Sequence, residues 1–105
     1  MQLLRVNANQ AAILTRMGGA FCLLLTTEAT TLGRRVIFML EGAWRTESLY
    51  VFALPTEPAA GDLPYIRQLG ITQLPEVRRY EQGRVIVRYT GLREIERFAT
   101  HEVKA

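Results

Sequence analysis

A chain of 105 residues with 49% apolar and 22% charged side chains has the makeup of an ordinary folded domain, and neither disorder nor a solenoid repeat fits it. Its formal charge of +3 is too small a surplus to define a nucleic-acid binder, and its one cysteine, Cys22, cannot close an internal disulfide. A single domain over residues 1–105 is expected, because a chain of this size hides roughly two-thirds of its surface on folding.

The opening "MQLLRVNANQ" lacks the basic-then-apolar layout of an export signal, so a cytoplasmic location is expected. No apolar run reaches bilayer length, so no membrane partner is expected. Leu3 to Val6 reads as a short strand, with Asn7 and Asn9 as turn and N-cap residues. "QAAILTRM" has helical spacing and stops at Gly18-Gly19. "AFCLLLTT" is a continuous apolar run of strand length, the pattern of a strand covered on both faces.

A polar turn, Thr26-Thr27-Glu28-Ala29-Thr30-Thr31, separates that run from the next helix, "LGRRVIFMLEGAWR". Val36, Leu40 and Trp44 fall four apart, with Ile37 beside them, so one stripe can face a sheet. Gly42 is a weak point in this helix. "SLYVFAL" is a second buried strand, and Pro55, Pro58 and Gly61 mark a loop. Asp62 is placed as the N-cap of a short helix, "LPYIRQL", with Pro64 in its first turn and Gly70 at its end.

"EVRRY" and "VIVRY" read as a hairpin, with Gly83 supplying the positive φ of the turn. Gly91 ends the pairing. "LREIERFATHEV" is an amphipathic helix, with Leu92, Ile95, Phe98 and Ala99 expected inward. The order is β-α-β-α-β-α-β-β-α, an α/β fold with helices on both faces of a central mixed sheet.

The candidate chemistry is sparse. Cys22 sits inside "FCLLL", where a thiol is an inert small hydrophobe rather than a nucleophile. His101 is the only histidine, so neither a zinc cluster nor a triad with Ser48, the only serine, is expected, and no metal or cofactor is implied. Thr30 or Thr31 is expected to cap the second helix; the alternative is a small polar pocket for an anion, which Glu28 would oppose. The arginines from Arg78 to Arg97 interleave with glutamates and read as a solvated, ion-paired face. Trp44, Tyr50, Phe52 and Tyr65 are candidates for core or for an interface.

The element order, and above all "LGITQLPEVRRYEQGRVIVRYTGLREIERF", resembles thioredoxin. The second half of that family runs Gly-Ile, a few residues, Pro, strand, Gly-containing turn, strand, Gly, helix. Gly70-Ile71, Leu74-Pro75, Gly83 and Gly91 occupy those places. The resemblance implies a cis Leu74–Pro75 peptide bond beside the family's redox motif. It places Thr30-Thr31-Leu32-Gly33 where the family has Cys-x-x-Cys, and Leu24 where the family has a buried acidic residue. Thiol–disulfide exchange needs a thiolate and a resolving sulfur, and a threonine hydroxyl without an activating base supplies neither. The family's defining activity is therefore not expected.

What remains is a binding domain. The resemblance puts its groove at Thr30, Thr31, Gln73, Leu74, Pro75 and Glu76, with backbone from Gln73 to Glu76 available to an extended protein segment or peptide. Some cysteine-less members of the family act as accessory or assembly factors for larger enzymes. Two alternatives remain: an enzyme binding glutathione or a similar thiol through the Thr30 hydroxyl, and a structural homo-oligomer subunit.

Overall fold

The computed structural model describes residues 3–43 and 49–101, with the side chains of Ala43 and His101 left aside. Trp44, Ser48 and the His101 side chain therefore lie outside the described residues. The elements are β1 (Leu3–Arg5), α1 (Ala8–Leu14), β2 (Ala20–Thr27), α2 (Thr31–Ala43), β3 (Leu49–Leu54), a 3-10 turn at Ala60–Asp62, α3 (Leu63–Leu69), β4 (Glu76–Glu81), β5 (Arg84–Thr90) and α4 (Gly91–His101).

One mixed sheet runs in the order β1-β3-β2-β4-β5. β3 is parallel to both β1 and β2, whereas β4 runs antiparallel to β2 and to β5. β2 is thus covered on both edges by neighbours. It is also covered on both faces, which explains its unbroken apolar run. Cys22 and Leu24 point to the α2–α4 side, where they meet Val36, Ile37, Leu40, Ile95 and Phe98. Leu23 and Leu25 point the other way, toward Ala8, Ala11, Phe52, Leu69 and Tyr80. The strand period of two thus divides a single run between two cores. Phe52 is buried in the second core, and Tyr50 and Tyr65 pack half-buried against it.

Several local assignments differ from the expectation. Helix α1 starts earlier, because Asn7 is the N-cap. Asn7 Oδ1 accepts from the Gln10 N–H at 2.8 Å while Gln10 Oε1 accepts from the Asn7 N–H at 2.9 Å, a reciprocal capping box. Asn9 lies inside the helix. The helix also ends at Leu14, before the glycines. The Thr15 hydroxyl bonds back to the Ala12 carbonyl at 2.7 Å, and Arg16 and Met17 make tighter i→i−3 bonds.

Asp62 makes no side-chain capping bond. Its backbone is already helical, φ −87° and ψ −17°, because the 3-10 turn runs straight into α3. The extended conformation that a capping side chain requires is absent there. Gly70 closes α3 in the left-handed region, φ 59° and ψ 46°, as a helix-ending glycine does. Gln82 and Gly83 both have positive φ, 53° and 77°, so the β4–β5 turn is of the type that matches strand twist.

Leu92 is the clearest departure in α4. Ile95, Phe98 and Ala99 are buried as the amphipathic pattern requires, but Leu92 is 38% exposed.

Candidate functional site

The region of interest is the end of the sheet where β2 passes into α2. Thr26 is fully buried, and its hydroxyl donates to the Gly33 carbonyl at 2.6 Å. Thr27 Oγ1 donates to the Leu54 carbonyl at 3.3 Å and accepts from the Ala29 N–H at 3.1 Å. Thr30 is the N-cap: its Oγ1 accepts from the Gly33 N–H at 3.0 Å. Arg34 folds back over the turn, donating to the Glu28 carbonyl at 2.6 Å and to Thr31 Oγ1 at 3.4 Å. Each hydroxyl in the turn is engaged with backbone or with arginine. Among the described residues none of these hydroxyls is hydrogen-bonded to a carboxylate or an imidazole, the groups that would activate it as a nucleophile.

Gly33 explains why the turn is this tight. A Cβ placed there would lie 2.2 Å from the Thr27 carbonyl oxygen and 3.0 Å from Thr30 Oγ1. Only a residue without a side chain lets α2 approach the end of β2 so closely. Of the four residues that the resemblance to thioredoxin sets at Cys-x-x-Cys, Gly33 thus answers a packing requirement and Thr30 caps a helix.

β4 enters the sheet beside this turn. Glu76 pairs with Leu25 on one side and with Thr90 on the other, so Pro75 falls level with Thr26. The Leu74–Pro75 peptide is cis, and the Pro75 carbonyl accepts from the Gly91 N–H at 3.0 Å. Gln73 is exposed and Leu74 half-buried. Among the described residues, the backbone N–H and C=O groups of Gln73 and Leu74 make no hydrogen bond.

Glu76, expected in the groove, is turned into the fold. It is 2% exposed, and its Oε2 accepts from Arg78 Nε at 2.7 Å. Arg78 is equally buried and is not part of a solvated arginine face. Its guanidinium also donates to the Leu69 and Gly70 carbonyls and to the Tyr80 hydroxyl. Those two carbonyls are orphans at the end of α3, so Arg78 caps that helix with a cation, where the helix dipole favours one. Thr90 Oγ1 donates to Glu76 Oε1 at 3.1 Å, and Arg88 lies 3.7 Å from the same oxygen.

Burial on its own would lower the pKa of Arg78, but the Tyr80 hydroxyl and the Glu76 carboxylate outweigh it and raise the value. A raised pKa keeps the group charged, and its contribution is lost only as pH climbs through that raised value. The Arg78 charge is therefore constant over any workable pH.

The strand alternation carries the signal that sequence reasoning missed. Glu76, Arg78 and Tyr80 are two apart, so they share one face of β4, the face that packs on α3.

Comparison with solved structures agrees with this architecture. The chain superposes on thioredoxin f2 of Chlamydomonas reinhardtii with a TM-score of 0.68 at 15% identity, covering 95% of this chain and 96% of that one. Thioredoxin of Malassezia sympodialis gives 0.68 at 10% identity, covering 100% and 96%. A chain of a complex between ferredoxin:thioredoxin reductase and thioredoxin f2 gives 0.70 at 13% identity, covering 98% and 94%. No protein-family model matches the chain, and no curated protein sequence matches it. The sheet order, the helices on both faces and these superpositions define a thioredoxin fold. It is a version of that fold with one cysteine, Cys22, buried in β2, and so without a Cys-x-x-Cys pair.

Among the described residues no helix is long and apolar enough to cross a membrane.

Proposed function

We propose that this chain is a redox-inactive thioredoxin-fold module that works by binding a protein or an extended peptide, as an accessory, assembly or adaptor component. The unpaired backbone of Gln73 and Leu74 carries the reading. Two consecutive residues outside a strand, one exposed and one half-buried, keep donors and acceptors that are not used within the described residues and are open to another chain. An extended segment laid alongside would satisfy them, as strand addition does at a sheet edge. Thr30 and Thr31, exposed at the start of α2, would border the same segment. Pro75 and Glu76 hold the strip in place from inside the fold rather than by touching the ligand with their side chains.

Two further facts support a binding role. The single cysteine is 1% exposed in β2, away from the Thr30–Gly33 turn, which is compatible with redox inactivity. Thioredoxin f2, which has this fold, has been solved in complex with a reductase, so the scaffold can present a surface to a protein.

The test is capture of partners from the native cell, quantified for the wild-type chain and for Thr31→Glu combined with Gln73→Glu. Both positions are exposed, so charge there perturbs the strip and spares the core. The partner should be lost from the double variant and retained by Asn9→Glu on α1. Equal recovery with all three chains would remove the strip from the model.

A further inference from the structure

Helix α2 has the wrong outer face for a helix that ends in water. Gly33, Val36, Ile37 and Leu40 face the sheet and are buried. Leu32, at the flank of that stripe, is 42% exposed, and Phe38, on the far side, is 74% exposed, the highest value among the large apolar side chains described. Solvent-facing helix surface is normally polar. Across from them α4 contributes the misplaced Leu92. Leu32, Arg35, Phe38, Met39, Leu92 and Glu96 bound an open hollow of about 630 Å³ between the two helices. Phe38 also borders a second hollow, of about 530 Å³, on its other flank. The ring therefore stands as a ridge beside a cavity large enough to receive another ring.

We propose that this face is the contact surface for a second copy of this chain, forming a two-fold dimer in which each Phe38 enters the α2–α4 hollow of the other. A two-fold contact needs a patch that complements itself. The shape does so, because the projection and the hollow adjoin. The charges do so too. Arg5, Arg34 and Arg35 are balanced by Glu28, Glu41 and Glu96 around the two hollows. The patch is neutral on a chain whose net charge is +3, so it offers no surplus of one sign to select an acidic or a basic partner.

Arg35 and Glu96 line the same hollow, and neither has an ion-pair partner among the described residues. A two-fold operation sets Arg35 of each copy against Glu96 of the other, giving two new pairs at the rim of an apolar centre. That is the anatomy of a protein interface. The surface shares no residue with the Gln73–Leu74 strip, and Phe38→Glu and Arg35→Glu leave Thr31 and Gln73 unchanged, so different variants test the dimer and the proposed binding role.

Sedimentation velocity on the full chain, up to a concentration of about 1 mM, tests this, since weaker association is hardly specific. The wild-type mass should rise from 11.9 kDa toward twice that value with concentration. Phe38→Glu should stay at the monomer mass with unchanged melting. Arg35→Glu alone should weaken the dimer by about tenfold or more, and Arg35→Glu combined with Glu96→Arg should restore it. If Phe38→Glu does not fold, the charge reversal and its restoration decide alone. A wild-type chain that stays monomeric throughout, a Phe38→Glu chain that dimerises normally, or a charge swap that fails to restore association would each overturn the proposal.

Discussion

Arg78 Nε donates to Glu76 Oε2 at 2.7 Å, two residues apart on one face of β4, with both side chains about 2% exposed. The pair joins the central sheet to the end of α3, because the same guanidinium holds the Leu69 and Gly70 carbonyls. No buried side-chain nitrogen or oxygen lacks a hydrogen-bond partner among the described residues, so the two charges enter the interior fully compensated.

Arg78→Met should therefore be costly. It leaves the Glu76 carboxylate buried without its counterion and the α3 carbonyls uncapped, a loss of about 3–5 kcal/mol. Combining it with Glu76→Gln should cost less than the sum of the two single losses, because the variants share one interaction. Urea denaturation of the four chains gives the coupling directly. Strict additivity would show that the ion pair has no energetic role.

Two glycines in α2 should respond oppositely to alanine. Gly42 is exposed and meets nothing within 4 Å of an added Cβ, so Gly42→Ala should stabilise by roughly 0.5–1 kcal/mol through helix propensity. Gly33→Ala forces a methyl against the Thr27 carbonyl at 2.2 Å and should destabilise by about 1–3 kcal/mol or more. Thermal melting of both variants checks the sign of each.

Thr30→Ala removes the oxygen that accepts from the Gly33 N–H and should cost about 1 kcal/mol. Thr30→Asp keeps an acceptor and adds charge at the favourable end of the helix, so it should be near neutral or better. A loss with Asp equal to that with Ala would mean that Thr30 matters for something other than capping.

Glutathione should not bind. A ligand present at about 100 times its dissociation constant stabilises a protein by ~2.7 kcal/mol, which a thermal-shift titration detects easily. The expected result is an unchanged melting temperature. A rise that Thr30→Ala abolishes would instead revive a thiol-binding role for that hydroxyl.

What could be read from residues alone follows from where the physics is local. β2 was legible because a short apolar run ending in threonines, bounded by glycines and a polar turn, suits a strand covered on both faces. The β4–β5 hairpin was legible because Gly83 supplies a conformation other residues resist. Thr30 as a helix cap was equally local. The proposed groove rests on resemblance, and no spacing rule points to Gln73 and Leu74, whose backbone groups make no hydrogen bond among the described residues.

Tertiary relations were the part that stayed hidden. Arg78 read as surface charge because its acceptors, the carbonyls of Leu69 and Gly70, are backbone groups eight and nine residues away. Its partner was the more visible half, since Glu76-x-Arg78 in a strand sets both on one face. Leu92 read as core because it fits the helical stripe. It falls in the first turn of α4, beside the hollow between α4 and α2, which leaves it 38% exposed. Phe38 carries no signal in the sequence, since a single outward aromatic breaks no pattern.

The central claim is that this thioredoxin fold, with Cys22 as its one cysteine, does not carry out thiol–disulfide exchange. Reduction of insulin disulfides in the presence of dithiothreitol tests it most directly. The account predicts that the purified protein leaves the rate of insulin precipitation at the value for dithiothreitol alone. A rate that rises in proportion to protein concentration, and that Cys22→Ser abolishes, would contradict it.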